Sequence, residues 1–241
     1  MGGVMAVIAI AGQIGSGGQD IGQEVAKELE AEFVDNYLLS EAANRTGMSI
    51  EEWDARDMRV DSLTDRIARV FQTFIQRSAA SYTADPYMSG EPLLSRTYEQ
   101  AAAEPRTDEQ TLDDQRFLEV TTEIIQELAR LPRVVIIGRG ATYILRNNPR
   151  VFNVLALAPR DERIERWATR NSLSADEARR EVDDQEHHRQ AFLRKFFGVD
   201  PFDPSWFDMV LRVDRLDIKH YAQMVATGAR ALDEQLLCDE T

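Results

Sequence analysis

The strongest constraint on the fold comes from the first 30 residues, where an apolar run leads straight into a glycine-rich turn and a helix. Residues 4–11 are apolar at every position, as expected of a strand in a parallel sheet that is covered on both faces. In residues 20–30, Ile21, Val25 and Leu29 recur every four positions, which predicts an amphipathic helix. The segment therefore predicts a strand–loop–helix unit of an α/β protein.

The rest of the chain continues this alternation. Further strands are predicted at residues 32–35, Val134–Ile137, 151–158 and 209–213, and helices at 40–81, 111–131, 160–170, 174–197 and 217–237. Such an alternation predicts a single α/β domain, residues 1–241, built on a doubly wound five-stranded parallel sheet. Residues 82–110 are polar and contain prolines, so we interpret them as either a functional flap or a disordered segment.

Charge limits the classes of partner. The formal net charge of −14 argues against binding to nucleic acid or to an anionic membrane, because both partners favour basic surfaces. A small anionic ligand is still allowed, since it responds only to local charge. Of the 28 basic residues, most are arginines, and they are dense in residues 139–194. These arginines suit phosphate oxygens, although the interleaved acids also allow ordinary surface ion pairs.

The single cysteine, Cys238, excludes a disulfide within the chain and is typical of a reducing compartment. The apolar run 4–11 is too short to span a membrane. We therefore expect a cytoplasmic protein, and the composition leaves a homo-oligomer open.

The glycine loop, residues 12–20, has the position and composition of an anion site. A loop between a buried strand and a helix N-terminus offers unpaired backbone N–H groups, and glycines allow close wrapping around a phosphate. The pattern G-x-x-x-x-G-K-[ST] fits from Gly12 to Gly17 and then fails, because Gly18 replaces the lysine and Gln19 the hydroxyl residue. The alternative hypothesis of a dinucleotide-binding loop also stays open, and in it Asp35 would hydrogen-bond the ribose.

Four segments together resemble the cytidylate kinase-like family, a branch of the P-loop nucleoside monophosphate kinases: the glycine loop and residues 136–140, 153–164 and 183–189. The resemblance implies a P-loop kinase fold with a helical acceptor-binding insertion at 40–118, which includes the long loop 82–110. It also implies an arginine-rich lid at 160–200. Phe196, Phe197, Trp206 and Phe207 are interpreted as hydrophobic anchors of that lid.

The same resemblance implies site residues, with ATP and Mg²⁺ as cofactors. The ATP phosphates would be bound by Gly12, Gln13, Gly15, Ser16, Gly17, Gly18, Gln19 and Asp20, and Asp20 would also help to hold the metal. Asp20 as a plain helix N-cap is the alternative. The acceptor, which is the nucleoside monophosphate that receives the phosphate, would be bound by Asp35, Arg116, Arg139 and Glu186. Two positions depart from the family pattern, namely Gly140 in place of an acid and Val182 in place of an arginine.

The charge that the lysine would supply needs another source, because phosphoryl transfer depends mainly on positioning and positive charge. Arg163, Arg166 and Arg170 are spaced so that one helix face presents all three, and Arg189 lies on the next helix. These four are the predicted catalytic residues. The expected function is a kinase that moves the ATP γ-phosphate to a nucleoside monophosphate, CMP or dCMP first. Alternatives are a non-catalytic nucleotide sensor and an NAD(P)-binding protein.

Overall fold

The computed structural model describes residues 6–35, 67, 98–103 and 108–239. Its sheet consists of β1 (Val7–Gly12), β2 (Glu32–Val34), β3 (Val134–Ile137), β4 (Val151–Leu157) and β5 (Met209–Arg212). The strand order is β2-β3-β1-β4-β5, and all four neighbouring pairs are parallel. The predicted five-stranded parallel sheet is confirmed.

Helices cover both faces of this sheet. In chain order they are α1 (Gly18–Leu29), α2 (Tyr98–Ala102), α3 (Asp108–Leu128), α4 (Ala141–Ile144), α5 (Arg160–Asn171), α6 (Ala175–Phe197) and α7 (Ile218–Asp239). Ile8 and Ile10 of β1 pack with α1 and α7, whereas Val7 and Ala9 pack with α3 on the opposite face. Alternate side chains of a strand point to opposite faces, so a strand covered on both sides must be apolar throughout.

Several local expectations are corrected. Residues 98–102 are helical although they were assigned to the flap, because this alanine-containing segment has good helix propensity and Ala102 packs against an aromatic cluster. Helix α3 begins at Asp108, within the same expected loop, and α4 was not predicted. Asp20 is not an N-cap, since α1 is capped by Gly17 in a left-handed conformation. Apart from residue 67, the expected helix 40–81 lies outside the described residues.

Helices α5 and α6 form the arginine-bearing part of the chain. Ser174 starts α6 with a capping box, in which its side chain and that of Glu177 bond each other's backbone N–H groups. Val182 is fully buried beside Ile164 and Ala178, which explains an apolar residue at that position. The C-terminal end of α6 enters the aromatic cluster, defined here by Phe117, Tyr143, Phe192, Phe196, Phe197, Trp206 and Phe207.

None of the helices in the described ranges combines the length and the apolar character needed to cross a bilayer.

Candidate functional site

The glycine loop lies at the carboxyl end of β1, the central strand, and packs closely against α5. Gly15 and Gly17 have φ angles of 77° and 88°, in the left-handed region that favours glycine. A Cβ on Gly15 would lie 2.5 Å from the carbonyl oxygen of Arg163. The loop therefore needs glycine at this position both for its backbone conformation and for its approach to α5.

The loop presents polar groups suited to an anion. The N–H groups of residues 18–20 open α1, so they have no partner within the helix, and the helix dipole adds partial positive charge there. The Ser16 side chain is 1% exposed, and its Oγ has no hydrogen-bond partner among the described residues. A buried hydroxyl without a partner is energetically unfavourable, so a polar ligand at this point would stabilise it.

Gly18, at the position of the missing lysine, is not forced by crowding. A Cβ there would lie 3.4 Å from the Cβ of Ala156 and 3.7 Å from the Oγ of Ser16, which are ordinary contact distances. The backbone at this position therefore has room for a Cβ atom.

Arg163, Arg166 and Arg170 of α5 are all brought to the glycine loop. Arg163 donates to the carbonyl of Ile14 at 3.3 Å. Arg166 donates to the carbonyl of Ser16 at 3.0 Å and, through its other Nη, to a carbonyl just after β5 at 2.6 Å. Arg170 pairs with the carboxylate of Asp20 and donates to the Gln19 side chain at 3.3 Å.

The three guanidinium groups differ in exposure and therefore in what they can do. Arg163 is 7% exposed, and burial lowers the pKa of its guanidinium, although the nearby Glu186 and Asp183 carboxylates oppose that change. Arg166 uses both of its Nη groups to donate to main-chain carbonyls. Arg170 and its partner Asp20 are 44% and 39% exposed. Of the three, Arg170 can therefore exchange its present partner for a ligand with the smallest loss of free energy, because exposed ion pairs are weak.

Helix α6 contributes a buried ion pair at the same loop. The Glu186 carboxylate accepts the N–H of Ile14 at 2.9 Å and pairs with Arg189 at 2.7 Å. Both side chains are less than a tenth exposed. The sequence led us to expect Glu186 at the acceptor and Arg189 at the phosphates. In the structure Glu186 joins α6 to the loop, and Arg189 pairs with Glu186 and lies 5.6 Å from the ring centroid of Phe202. A signal for this docking is absent from the sequence, since Ile14 donates through its backbone.

Other expected loop residues have described contacts of their own. The side-chain oxygen of Gln13 accepts the N–H of Ala158 at 3.2 Å, so it ties the loop to the end of β4. The Gln19 amide donates to Asp35 at 3.1 Å. Gly12 ends β1 close to Ser16, whose Oγ would lie 2.8 Å from a Cβ on that glycine.

A cleft of about 460 Å³ lies beside the loop, within the size range of small-molecule sites. Its lining includes Gly15, Gly17, Asp20, Arg166, Trp167 and Arg170. Trp167 was not predicted from the sequence as a site residue. The indole N–H donates to Glu181 of α6 at 2.8 Å, which holds the ring between the two helices.

The acceptor-side residues are more scattered. Arg139 follows β3, is 5% exposed, and holds its guanidinium 5.8 Å from the ring centroid of Phe117. Arg116 lies in α3, but its side chain is outside the described part of the chain. Asp35 follows β2 at the same edge of the sheet as the loop.

The described residues do not form a metal cage. No three His, Cys, Asp or Glu side chains within the described ranges are grouped so that they could hold a metal ion. Asp20, the expected metal residue, is paired with Arg170.

These features define an α/β protein with a glycine loop at the carboxyl end of the central strand of a β2-β3-β1-β4-β5 parallel sheet. The family model of the cytidylate kinase-like family matches residues 7–215. The chain belongs to the cytidylate kinase-like family. This membership supports a nucleotide kinase-type function.

Individual relatives are distant. The chain is 27% identical over 137 residues to a cytidylate kinase of Pyrobaculum neutrophilum, which covers 54% of this chain and 72% of that protein. It is 38% identical over 58 residues to a cytidylate kinase of Methanopyrus kandleri, which covers 24% of this chain and 30% of that protein. An uncharacterized protein from Eubacterium ventriosum has a similar fold, with a TM-score of 0.60 and 15% identity over 93% of this chain and 98% of that one.

Proposed function

We propose that the protein is an ATP-dependent kinase that transfers the γ-phosphate to a nucleoside monophosphate, CMP or dCMP first. The observation that carries the proposal is the contact of Arg170 with Gln19 and Asp20, directly after Gly18. A guanidinium from α5 thus supplies positive charge beside the position where the lysine is missing. Phosphoryl transfer asks mainly for such charge and for positioning, with little covalent work by the protein.

The described residues fit a triphosphate. The free N–H groups at the start of α1 and the unpartnered Ser16 Oγ can donate to phosphate oxygens. The adjoining cleft has room for a nucleotide. Arg163 and Arg166 hold the main chain of the loop in place, so the donors are positioned before the ligand arrives.

Arg170 is the proposed catalytic cation. Its pair with Asp20 is exposed, so a phosphate oxygen can replace the carboxylate at small cost. Mg²⁺ would come with ATP, held by phosphate oxygens and water, with Asp20 as the nearest protein carboxylate. We assign the chain no step through the metal, since the described residues form no cage for it. Acceptor recognition is proposed for Asp35, Arg116, Arg139 and Glu186.

The test is an ADP-release assay with CMP, dCMP, UMP, AMP and GMP, run on the wild type and on Arg170→Ala. We expect Arg170→Ala to lower kcat by about 10²–10³-fold, the usual cost of removing a group that stabilises transition-state charge. Arg179→Ala is the matched control, because Arg179 also forms an exposed pair, with Asp176 at 2.8 Å. A Gly18→Lys change in the Arg170→Ala protein should recover part of the rate. Equal rates in both arginine variants, or no turnover with any acceptor, would contradict the proposal.

A nucleotide sensor is the second candidate. It is favoured by the engagement of the loop's charged neighbours in the ligand-free protein, where Asp20 pairs with Arg170 and Glu186 bonds the N–H of Ile14. Calorimetry that detects ATP binding without any phosphoryl transfer would select it.

The NAD(P) alternative is disfavoured by topology. In a dinucleotide fold β2 lies next to β1, whereas here β3 lies between them. Asp35 therefore follows a strand that is not the neighbour of β1. Thermal stabilisation by ATP but not by NAD⁺ is the expected result.

A further inference from the structure

The turn at residues 138–140 has an unfavourable backbone. Gly138, Arg139 and Gly140 have φ angles of 80°, 52° and 74°, so three successive residues are left-handed and one of them carries a side chain. Such a conformation persists only when the surrounding structure holds it. The turn follows β3, and β3 pairs directly with the strand that carries the glycine loop.

The ring of Phe197, the last residue of α6, holds this turn. The three atoms nearest to a Cβ built on Gly140 all belong to that ring, and two of them would overlap it. Phe197 therefore fills the space above Gly140 and stacks on Tyr143, with ring centroids 5.7 Å apart and an interplanar angle of 29°. Gly140 is required here for two reasons, its left-handed conformation and its contact with the ring.

The same helix contacts the glycine loop at a second point. Glu186 accepts the Ile14 N–H eleven residues before Phe197, a helical rise of about 16 Å. Helix α6 thus spans the distance between the glycine loop and the 138–140 turn without a break.

We infer that Phe197 is a positioning residue, which fixes the 138–140 turn and with it Arg139 relative to the glycine loop. The inference rests on the proposed function in taking Arg139 as an acceptor-binding residue. Removal of the ring takes away the packing over Gly140, so the strained turn is then held mainly by the bonds from the Gly138 N–H to Ile10 and from the Ala141 N–H to Gly138. The backbone that carries Arg139 becomes less fixed, while the contacts of the glycine loop with Glu186 and α5 are unchanged.

Phe197→Ala is the test, and Phe207→Ala is its matched control. Phe207 is also half-buried in the aromatic cluster and contacts the same Tyr143 ring, at 6.2 Å, but Phe197 supplies the nearest atoms to Gly140. We expect Phe197→Ala to raise the KM for the acceptor at least about tenfold and to change the KM for ATP by less than about twofold. Phe207→Ala should lower the unfolding midpoint comparably and leave both constants nearly unchanged.

Hydrogen exchange of the ligand-free protein gives a readout that needs no substrate. Peptides that cover residues 138–144 should exchange faster in Phe197→Ala than in the wild type or Phe207→Ala. Phe197→Leu, which keeps apolar volume, replaces Phe197→Ala if the latter does not fold. Gly140→Ala should also speed exchange, and its effect should be smaller when Phe197 is already Ala, because the overlap is gone.

The outcomes separate the two claims. If Phe197→Ala and Phe207→Ala change the acceptor KM or the exchange of 138–144 equally, or if the KM values for ATP and acceptor change together, the positioning role is wrong. If the wild type turns over no acceptor, the proposed function fails, and the exchange comparison alone decides whether Phe197 holds the turn.

Discussion

Two glycines of the same loop should respond oppositely to the addition of one methyl group. In Gly15→Ala, the new Cβ would lie 2.5 Å from the backbone oxygen of Arg163, at a residue whose φ is 77°. In Gly18→Ala, the nearest atoms lie at 3.4 Å or more, and the residue begins α1 with ordinary helical geometry. The pair therefore tests the structure of the loop with matched chemistry.

The magnitudes follow from these contacts. A side chain in the left-handed region costs about 1–2 kcal/mol, and forced overlap with a backbone that cannot move away adds about 1–3 kcal/mol. Gly15→Ala should thus lower the free energy of unfolding by about 2–5 kcal/mol. Gly18→Ala should raise it by about 0.4–1 kcal/mol, because alanine restricts the unfolded chain and fits the native conformation.

Thermal and urea unfolding measure the difference, which should be on the order of 10 °C in the midpoint for a chain of this length. ATP binding, followed by calorimetry, should be lost in Gly15→Ala because the loop moves away from α5. It should persist in Gly18→Ala, where the added methyl faces Ala156 of β4. Equal stability of the two variants would refute the close packing of the loop on α5.

Three further predictions concern single residues. Arg166→Lys should lower both stability and ATP affinity, since one ammonium cannot reach the two carbonyls that the guanidinium joins, and unfolding with calorimetry measures both. Burial raises the pKa of Asp233, so the stabilising contribution of this residue is present at low pH and lost as pH rises through the folded-state pKa. Asp233→Asn should therefore raise the unfolding midpoint at pH 7 and not at pH 3. Hydrogen bonding to Ser174 lowers the pKa of Glu177. The pair therefore stabilises the protein above the pKa of Glu177 in the unfolded chain, and this stabilisation is lost as pH falls through the pKa in the folded state. The decrease in unfolding midpoint caused by Ser174→Ala should become smaller below pH 4.5.

The sheet was readable from the sequence because its strands are covered on both faces. Val134–Ile137 was located to the residue, since a short run of β-branched residues between Pro132 and a glycine turn allows little else. The convergence of the α5 arginines was expected from their spacing, because helical periodicity alone fixes which side chains share a face. The short α4 escaped prediction, since a helix of four residues has no periodicity to detect.

The partners of those arginines could not be read from the sequence. Arg166 donates to a carbonyl at residue 213, 47 positions along the chain, and Ile14 meets Glu186 across 172 positions. Backbone carbonyls and N–H groups are the same at every residue, so composition carries no trace of such contacts. For this reason the bond from Ile14 to Glu186 was not expected, and the role of Glu186 at the acceptor stays a prediction.

With Gly18 at the position of the lysine, the source of positive charge beside the glycine loop lies on another helix. A lysine at residue 18 would bring its charge with the loop itself, whereas Arg170 reaches the loop from α5, 150 residues away in sequence. The position of α5 depends in turn on its packing against α6, where Ile164, Ala178 and Val182 form a common core. Helix α6 is held to the loop by Glu186. Under the proposed function, charge at the phosphates depends on tertiary packing, and changes in the α5–α6 core should lower activity before they unfold the sheet.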